Sequence, residues 1–289
     1  MKELFKEVIR INMMEETPDK EDCARKLFTR LNAMELPEYF NWAADIFEDL
    51  HIRQNPDKKA LIWTDIDTLE TKTYSYRVLS QKANQLINFF LKSGIGKGDN
   101  LYMMSPVLPE SWFAGLACIK AGIVNVPTAT TMSQRELEFR FETYPPKAIV
   151  ADEASACLID KALEEIEMEP TLKLVLGQKK GWVSFGTIEN ESLEARAAKT
   201  RSDDILFCFF TSGTTGLPKR VGHTAISYPV GHLSTTIMLG LRPDDVHHNL
   251  SAPGWAKWAW SSFFSPFNVG ATTIGFKFSF LDGEQYLDA

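Results

Sequence analysis

The sequence predicts an α/β fold of layered, mostly parallel sheets with flanking helices, and three observations lead there. Short apolar runs alternate with helical patterns from about residue 98 onward, the spacing of strand–helix–strand units. One run, "DILFCFF", is apolar throughout, as strands buried on both faces of a parallel sheet are. Turn and capping residues punctuate the chain where each element should begin or end.

Taken in order, residues 1–36 read as a charged, partly helical lead-in, with the remainder, 37–289, as the main domain. "ALIWTD" and "TKTYSY" are β-prone runs joined by polar residues, a hairpin signal. Ser75 is placed to cap a helix whose apolar face carries Val78, Leu79, Ala83, Leu86 and Phe90, with Gly94 as its stop. "NLYMMS" reads as a strand, "PESWFAGLACIKAG" as a helix and "IVNVPTA" as the next strand. Ser133 to Glu136, "SQRE", is a capping box that opens another helix. "KAIVAD", "SACLIDKALEEIE" and "LKLVLG" continue the alternation as strand, helix and strand. After "DILFCFF", a helix is expected over "TAISYPVGHLSTTIMLG", with Pro229 kinking it or marking its start. "VHHNLS" and "ATTIGF" complete the strands, with an amphipathic segment at "KWAWSSFF" between them.

Composition narrows the function. The 289 residues carry a net charge of -7, which repels a nucleic-acid backbone and argues against nucleic acid as a partner. The four cysteines have no C-x-x-C spacing, and His247 and His248 are adjacent rather than one helical turn apart. Reduced thiols and no metal site are therefore expected. No run approaches the ~20 apolar residues that span a bilayer, and the N-terminus lacks a signal-peptide core. A cytoplasmic protein without a membrane span is the expectation.

The chemistry concentrates in "FTSGTTGLPKRV", residues 210–221. Gly213 and Gly216 permit close backbone approach, so several N–H groups can point into one concavity. Thr211, Ser212, Thr214 and Thr215 add hydroxyls, and Lys219 adds a mobile positive charge suited to phosphate oxygens. The Walker A pattern fails at Pro218 and Arg220, and a dinucleotide fingerprint fails for want of a third glycine in register. A lone G-T-T-G also suits a surface turn; the full run behind a buried strand sets this loop apart.

At these residues the chain resembles the AMP-forming acyl-CoA synthetases and their adenylating relatives. Their signature, T-S-G-T-T-G-x-P-K-x-V, is matched by Thr211 to Val221 at every fixed position, and His223 falls where many members carry histidine. "SYRVLSQKANQLINFFLKSGIGKGDNLYMMSP" and "FAGLACIKAGIVNVPTATTMSQRELEFRF" resemble earlier family segments, with departures at Val124, Asn125 and Ala129. "APGWAKWAWSSFFSPFNVGATTIGF" resembles the acetyl- and medium-chain branch, so the similarity runs from about residue 40 to the end.

The resemblance implies activation of a short- or medium-chain carboxylic acid with ATP and Mg²⁺, then transfer of the acyl group to coenzyme A. It assigns the β- and γ-phosphates to Thr211, Ser212, Gly213, Thr214, Thr215, Gly216 and Lys219. Gly254, Trp255 and Lys257 become acyl-pocket candidates, with Trp258 nearby; no catalytic residue is assigned. The family's Tyr-Gly-x-Thr-Glu motif, its ribose-binding Asp, its hinge Arg and its C-terminal lid domain do not occur in residues 1–289. The expectation is therefore an incomplete N-terminal region of an adenylate-forming enzyme, with weak ATP binding and "ILFCFF" short of strand neighbours. A second chain that completes the fold, a non-catalytic or regulatory partner of a full-length synthetase, and an aryl-CoA ligase or amino-acid-activating domain are the competing readings. The Gly-Trp segment favours the short- and medium-chain branch.

Overall fold

The apolar runs spaced along the chain condense into two sheets, seen in a computed structural model that describes residues 1–15, 18–211, 218–279 and 283–288. Helices α1 (Lys2–Met13) and α2 (Pro18–Ala33) come first, then a π-helix over Ala43–Ile52. Strands β1 (Lys59–Asp65) and β2 (Glu70–Ser75) form the expected hairpin. Ser75 Oγ accepts from the Val78 amide and opens α3 (Tyr76–Lys92).

The alternating section follows as β3 (Asn100–Met104), α4 (Pro109–Ala121), β4 (Val124–Thr128), α5 (Gln134–Thr143), β5 (Ala148–Asp152), α6 (Glu153–Glu165) and β6 (Leu172–Leu176). The capping box at α5 is complete: the Ser133 side chain accepts from the Glu136 amide while Glu136 accepts from the Ser133 amide. A two-residue strand β7 (Val183–Ser184) leads to β8 (Ile205–Thr211). Then come β9 (Lys219–Thr224), α7 (Ser227–Gly231), α8 (Leu233–Met238), β10 (Val246–His248), α9 (Ala256–Trp258), α10 (Ser265–Val269), β11 (Thr272–Lys277) and α11 (Gly283–Asp288).

The larger sheet has the order β7-β6-β5-β3-β4-β8-β9 and is parallel except for β9. The smaller has the order β10-β11-β1-β2, with β2 antiparallel. Both faces of β8 are covered: Phe207 and Phe209 join one core, and Cys208 lies in the other with Phe210 packed against it. Each fully buried aromatic there contributes about 1.5–3 kcal/mol.

Four differences from the sequence expectation have physical causes. β8 is not short of neighbours, because β4 and β9 flank it. β9 was unexpected because "KRVGHT" is an exposed edge strand without the alternation that marks a half-buried one. The single helix expected over 224–240 is two short helices, α7 and α8, broken at His232 next to Gly231. Helix α1 is more than a charged lead-in: Leu4, Phe5, Val8 and Ile11 are buried, and Asn12 donates to the Thr236 and Leu241 carbonyls.

Candidate functional site

Antiparallel pairing carries the chain out along β8 and back along β9, and sets Thr211 directly opposite Lys219. The Thr211 hydroxyl lies 3.4 Å from the Lys219 carbonyl oxygen, toward which it is placed to donate. Both residues are exposed, and Lys219 makes no ion pair among the described residues. Ser212, Gly213, Thr214, Thr215 and Gly216 lie outside the described residues. The stem therefore presents a hydroxyl and an uncommitted ammonium at the base of the Gly/Thr run. The free ammonium fits a polyphosphate.

The stem rises from the carboxyl end of β8. In open parallel sheets, ligands collect at that edge because loops diverge there from neighbouring strands. A cleft of about 370 Å³ opens along the same edge, with Pro106 and Val107 after β3 and Thr130 after β4 in its wall. The far wall comes from the smaller sheet, through His248 at the end of β10, Asn249 just after it, and Ile274 to Phe278 along and beyond the end of β11.

The floor is aromatic. Trp112 and Trp258 meet edge to face with ring centroids 4.9 Å apart, and the Trp112 indole donates to the Ser262 carbonyl at 3.1 Å. Gly275 makes room for this arrangement: a Cβ built there would stand 2.5 Å from the Trp112 ring. Polar groups line the rest. Asn249 Nδ2 donates to Ser262 Oγ at 3.1 Å, and the Lys277 ammonium pairs with Asp65 at 2.6 Å. Burial pushes the Asp65 carboxyl up, but the hydrogen bond and charge of Lys277, with the Asp67 and Thr68 amides, hold it below its usual range. His248 bonds the Ile274 carbonyl at 3.2 Å through Nδ1 and meets the Tyr286 hydroxyl through Nε2. Burial lowers the His248 pKa, so its ring is neutral near pH 7 and can hold one proton donor and one acceptor.

Of the acyl-pocket candidates, Gly254, Trp255 and Lys257 are not in the cleft wall, whereas Ser251, Ala252 and Trp258 on either side of them are. Trp255 is 58% exposed and Lys257 is exposed. Gly254 is pressed against Ala129 and so fixes the 250s segment over the end of β4. Sequence reasoning did not find Trp112, His248, Asn249 or Ser262, because the cleft gathers them from separate segments. Their shared signal is position just beyond, or packed beneath, the carboxyl ends of strands.

Among the described residues no group of three or more His, Cys, Asp or Glu is placed to hold a metal ion. No helix among the described residues is long and apolar enough to cross a membrane.

The chain is 45% identical over 249 residues to 4-hydroxybutyrate--CoA ligase 1 of Metallosphaera sedula, covering 86% of this chain and 43% of that protein. It is 31% identical over 247 residues to the mitochondrial acyl-coenzyme A synthetase ACSM3 of Mus musculus, covering 82% of this chain and 42% of that one. The crystal structure of the anthranilate CoA ligase AuaEII in complex with anthranoyl-AMP superposes with a TM-score of 0.76 at 25% identity, covering 84% of this chain and 46% of that chain. The chain thus spans less than half the length of each of these relatives. The family model described as AMP-binding enzyme matches residues 49–288. The chain belongs to the AMP-binding enzyme family, with the fold of the N-terminal half of adenylate-forming enzymes.

Proposed function

We propose that this chain supplies the phosphate-gripping and acid-binding part of an AMP-forming acid–CoA ligase for a short- or medium-chain carboxylic acid. The observation that carries the reading is the β8–β9 stem, which holds Thr211 opposite Lys219 at the same sheet edge as the aromatic-floored cleft.

In this reading the acid's carboxylate oxygen attacks the α-phosphorus of ATP. The new O–P bond forms as the bond to pyrophosphate breaks, and the thiol of coenzyme A later displaces AMP from the acyl carbon. Thr211, Ser212, Gly213, Thr214, Thr215, Gly216 and Lys219 would hold the β- and γ-phosphates. The Lys219 charge would stabilise the leaving pyrophosphate, a preorganised electrostatic role. ATP and CoA enter as substrates, with Mg²⁺ carried on the nucleotide.

The acid's tail would rest on Trp112 and Trp258. A cleft of about 370 Å³ suits an acid of a few carbons. Thr130, Asn249 and Ser262 would offer hydrogen bonds to a polar terminus, in keeping with the hydroxy acid named for the Metallosphaera relative. Gly254 would set the shape of the pocket mouth, with Trp255 and Lys257 beside it. A second reading, an aryl acid, is favoured by the edge-to-face tryptophan pair, which can also receive a flat ring.

The test is acid-dependent exchange of labelled pyrophosphate into ATP, run with butyrate, 4-hydroxybutyrate, hexanoate and anthranilate. Exchange that disappears in Lys219→Ala supports the ligase. Nucleotide binding without exchange for any acid supports a non-catalytic partner instead.

A further inference from the structure

The side chains of β8 alternate, so Phe207, Phe209 and Thr211 share one face while Cys208 and Phe210 face α5. The antiparallel register places Phe210 opposite Arg220 and Thr211 opposite Lys219. Lys219 therefore shares the Thr211 face, and Arg220 turns toward α5.

Two cations and two rings interlock there. The Arg140 guanidinium carbon stands 4.7 Å from the Phe210 ring centroid, and that of Arg220 stands 4.5 Å from the Tyr144 ring centroid. Arg140 and Tyr144 are four residues apart, one helical turn, so they meet the strand pair side by side. The Tyr102 hydroxyl donates to the Tyr144 carbonyl at 2.7 Å, which ties this end of α5 to β3. Among the described residues neither guanidinium makes an ion pair with a carboxylate.

The bland explanation is that arginines stacked on rings seal an exposed edge strand. Two features go further. The stacks hold one residue of each strand, and each of these adjoins a stem residue of the loop, Phe210 next to Thr211 and Arg220 next to Lys219. Neither charge makes a carboxylate ion pair among the described residues; Glu136, one turn before Arg140, offsets part of the Arg140 charge, and the Arg220 field reaches the base of the loop.

We propose that Arg140 and Arg220, stacked on Phe210 and Tyr144, form a positioning clamp that holds Thr211 and Lys219 opposed and adds positive potential for a bound polyphosphate. The proposal rests on the phosphate role given above to the loop. None of the four is a catalytic residue; they act through the stem.

The experiment uses the whole chain, with inorganic pyrophosphate as the probe and amide hydrogen exchange as the second readout. Arg220→Ala should speed exchange of the 219–221 amides about tenfold while β5 is unchanged. It should also weaken pyrophosphate about tenfold and flatten the salt dependence of binding. Tyr144→Ala, which keeps both charges, should speed the same exchange but leave the salt dependence as in the parent. Arg220→Lys should recover most of the affinity without restoring full protection. Unchanged exchange at 219–221 in both alanine variants overturns the clamp. A lowered melting temperature with unchanged pyrophosphate affinity reduces the stacks to packing and overturns the positioning role. If the parent chain binds no pyrophosphate while the exchange behaves as expected, the clamp stands and the phosphate reading fails.

Discussion

Gly254 lies against the backbone of Ala129 so closely that a Cβ built on it would stand 2.3 Å from both the Ala129 Cα and its amide nitrogen. Main chain cannot yield as the end of a flexible side chain can. The contact joins the 250s segment to the end of β4, two of the walls between which the cleft opens. Gly254→Ala is therefore expected to destabilise the chain by about 3 kcal/mol, through overpacking. Urea denaturation checks this; a loss under about 0.5 kcal/mol would show that the segment can lift away.

Gly275 makes the matching prediction for the cleft floor. Its missing side chain admits the Trp112 ring, so Gly275→Ala should push the indole off Trp258 and fill part of the cleft. The expected result is a shifted tryptophan emission with a modest stability loss of about 1–2 kcal/mol. Unchanged emission would contradict the packing described.

Acid should weaken the fold through two histidines. Burial lowers His51 from its ordinary 6.5 to about 4, and His232 likewise to about 4. The neutral ring is the folded form, whereas the unfolded chain takes a proton near 6.5. The stabilisation is thus fully present above pH 6.5 and is lost as pH falls toward 4. His51 contributes on the order of 3 kcal/mol over that window. Urea midpoints measured from pH 7.5 to 4 should fall, and His51→Leu should flatten the slope; an equal slope in both proteins would refute the assignment.

Lys120 supplies a fourth prediction. Its ammonium is buried and reaches Glu48 at 2.7 Å and Asn84 at 2.8 Å. Lys120→Ala leaves Glu48 short of its counter-charge and opens a void, at an expected cost of about 3 kcal/mol. Glu48→Gln, which keeps a hydrogen-bond acceptor for the lysine, should cost less. Equilibrium unfolding of the two variants decides the order.

Much of this architecture can be read directly from residues. Ser75, the Ser133–Glu136 box and the unbroken "ILFCFF" each encode their element through a local rule, so their strands and helices fall where expected. β9 obeys no local rule: it is held by pairing back onto β8 and by Arg220 on Tyr144, the latter distant in sequence. The π-helix at Ala43–Ile52 is likewise shaped by packing, with Trp42 and Phe47 set among Phe263, Phe264 and Phe267. A phosphate role for the loop can be proposed from sequence because its residues are contiguous. The cleft was not legible, since Trp112, His248 and Ile274 come together only when the two sheets pack.

In the proposed function the stem of Thr211 and Lys219 grips the phosphates of a nucleotide. Calorimetric titration of ATP into the chain, with and without Lys219→Ala, tests it most directly. The expected result is saturable one-to-one binding, weakened at least tenfold in the variant, with equal melting temperatures for both proteins. No binding, or equal affinity in the two, would contradict it.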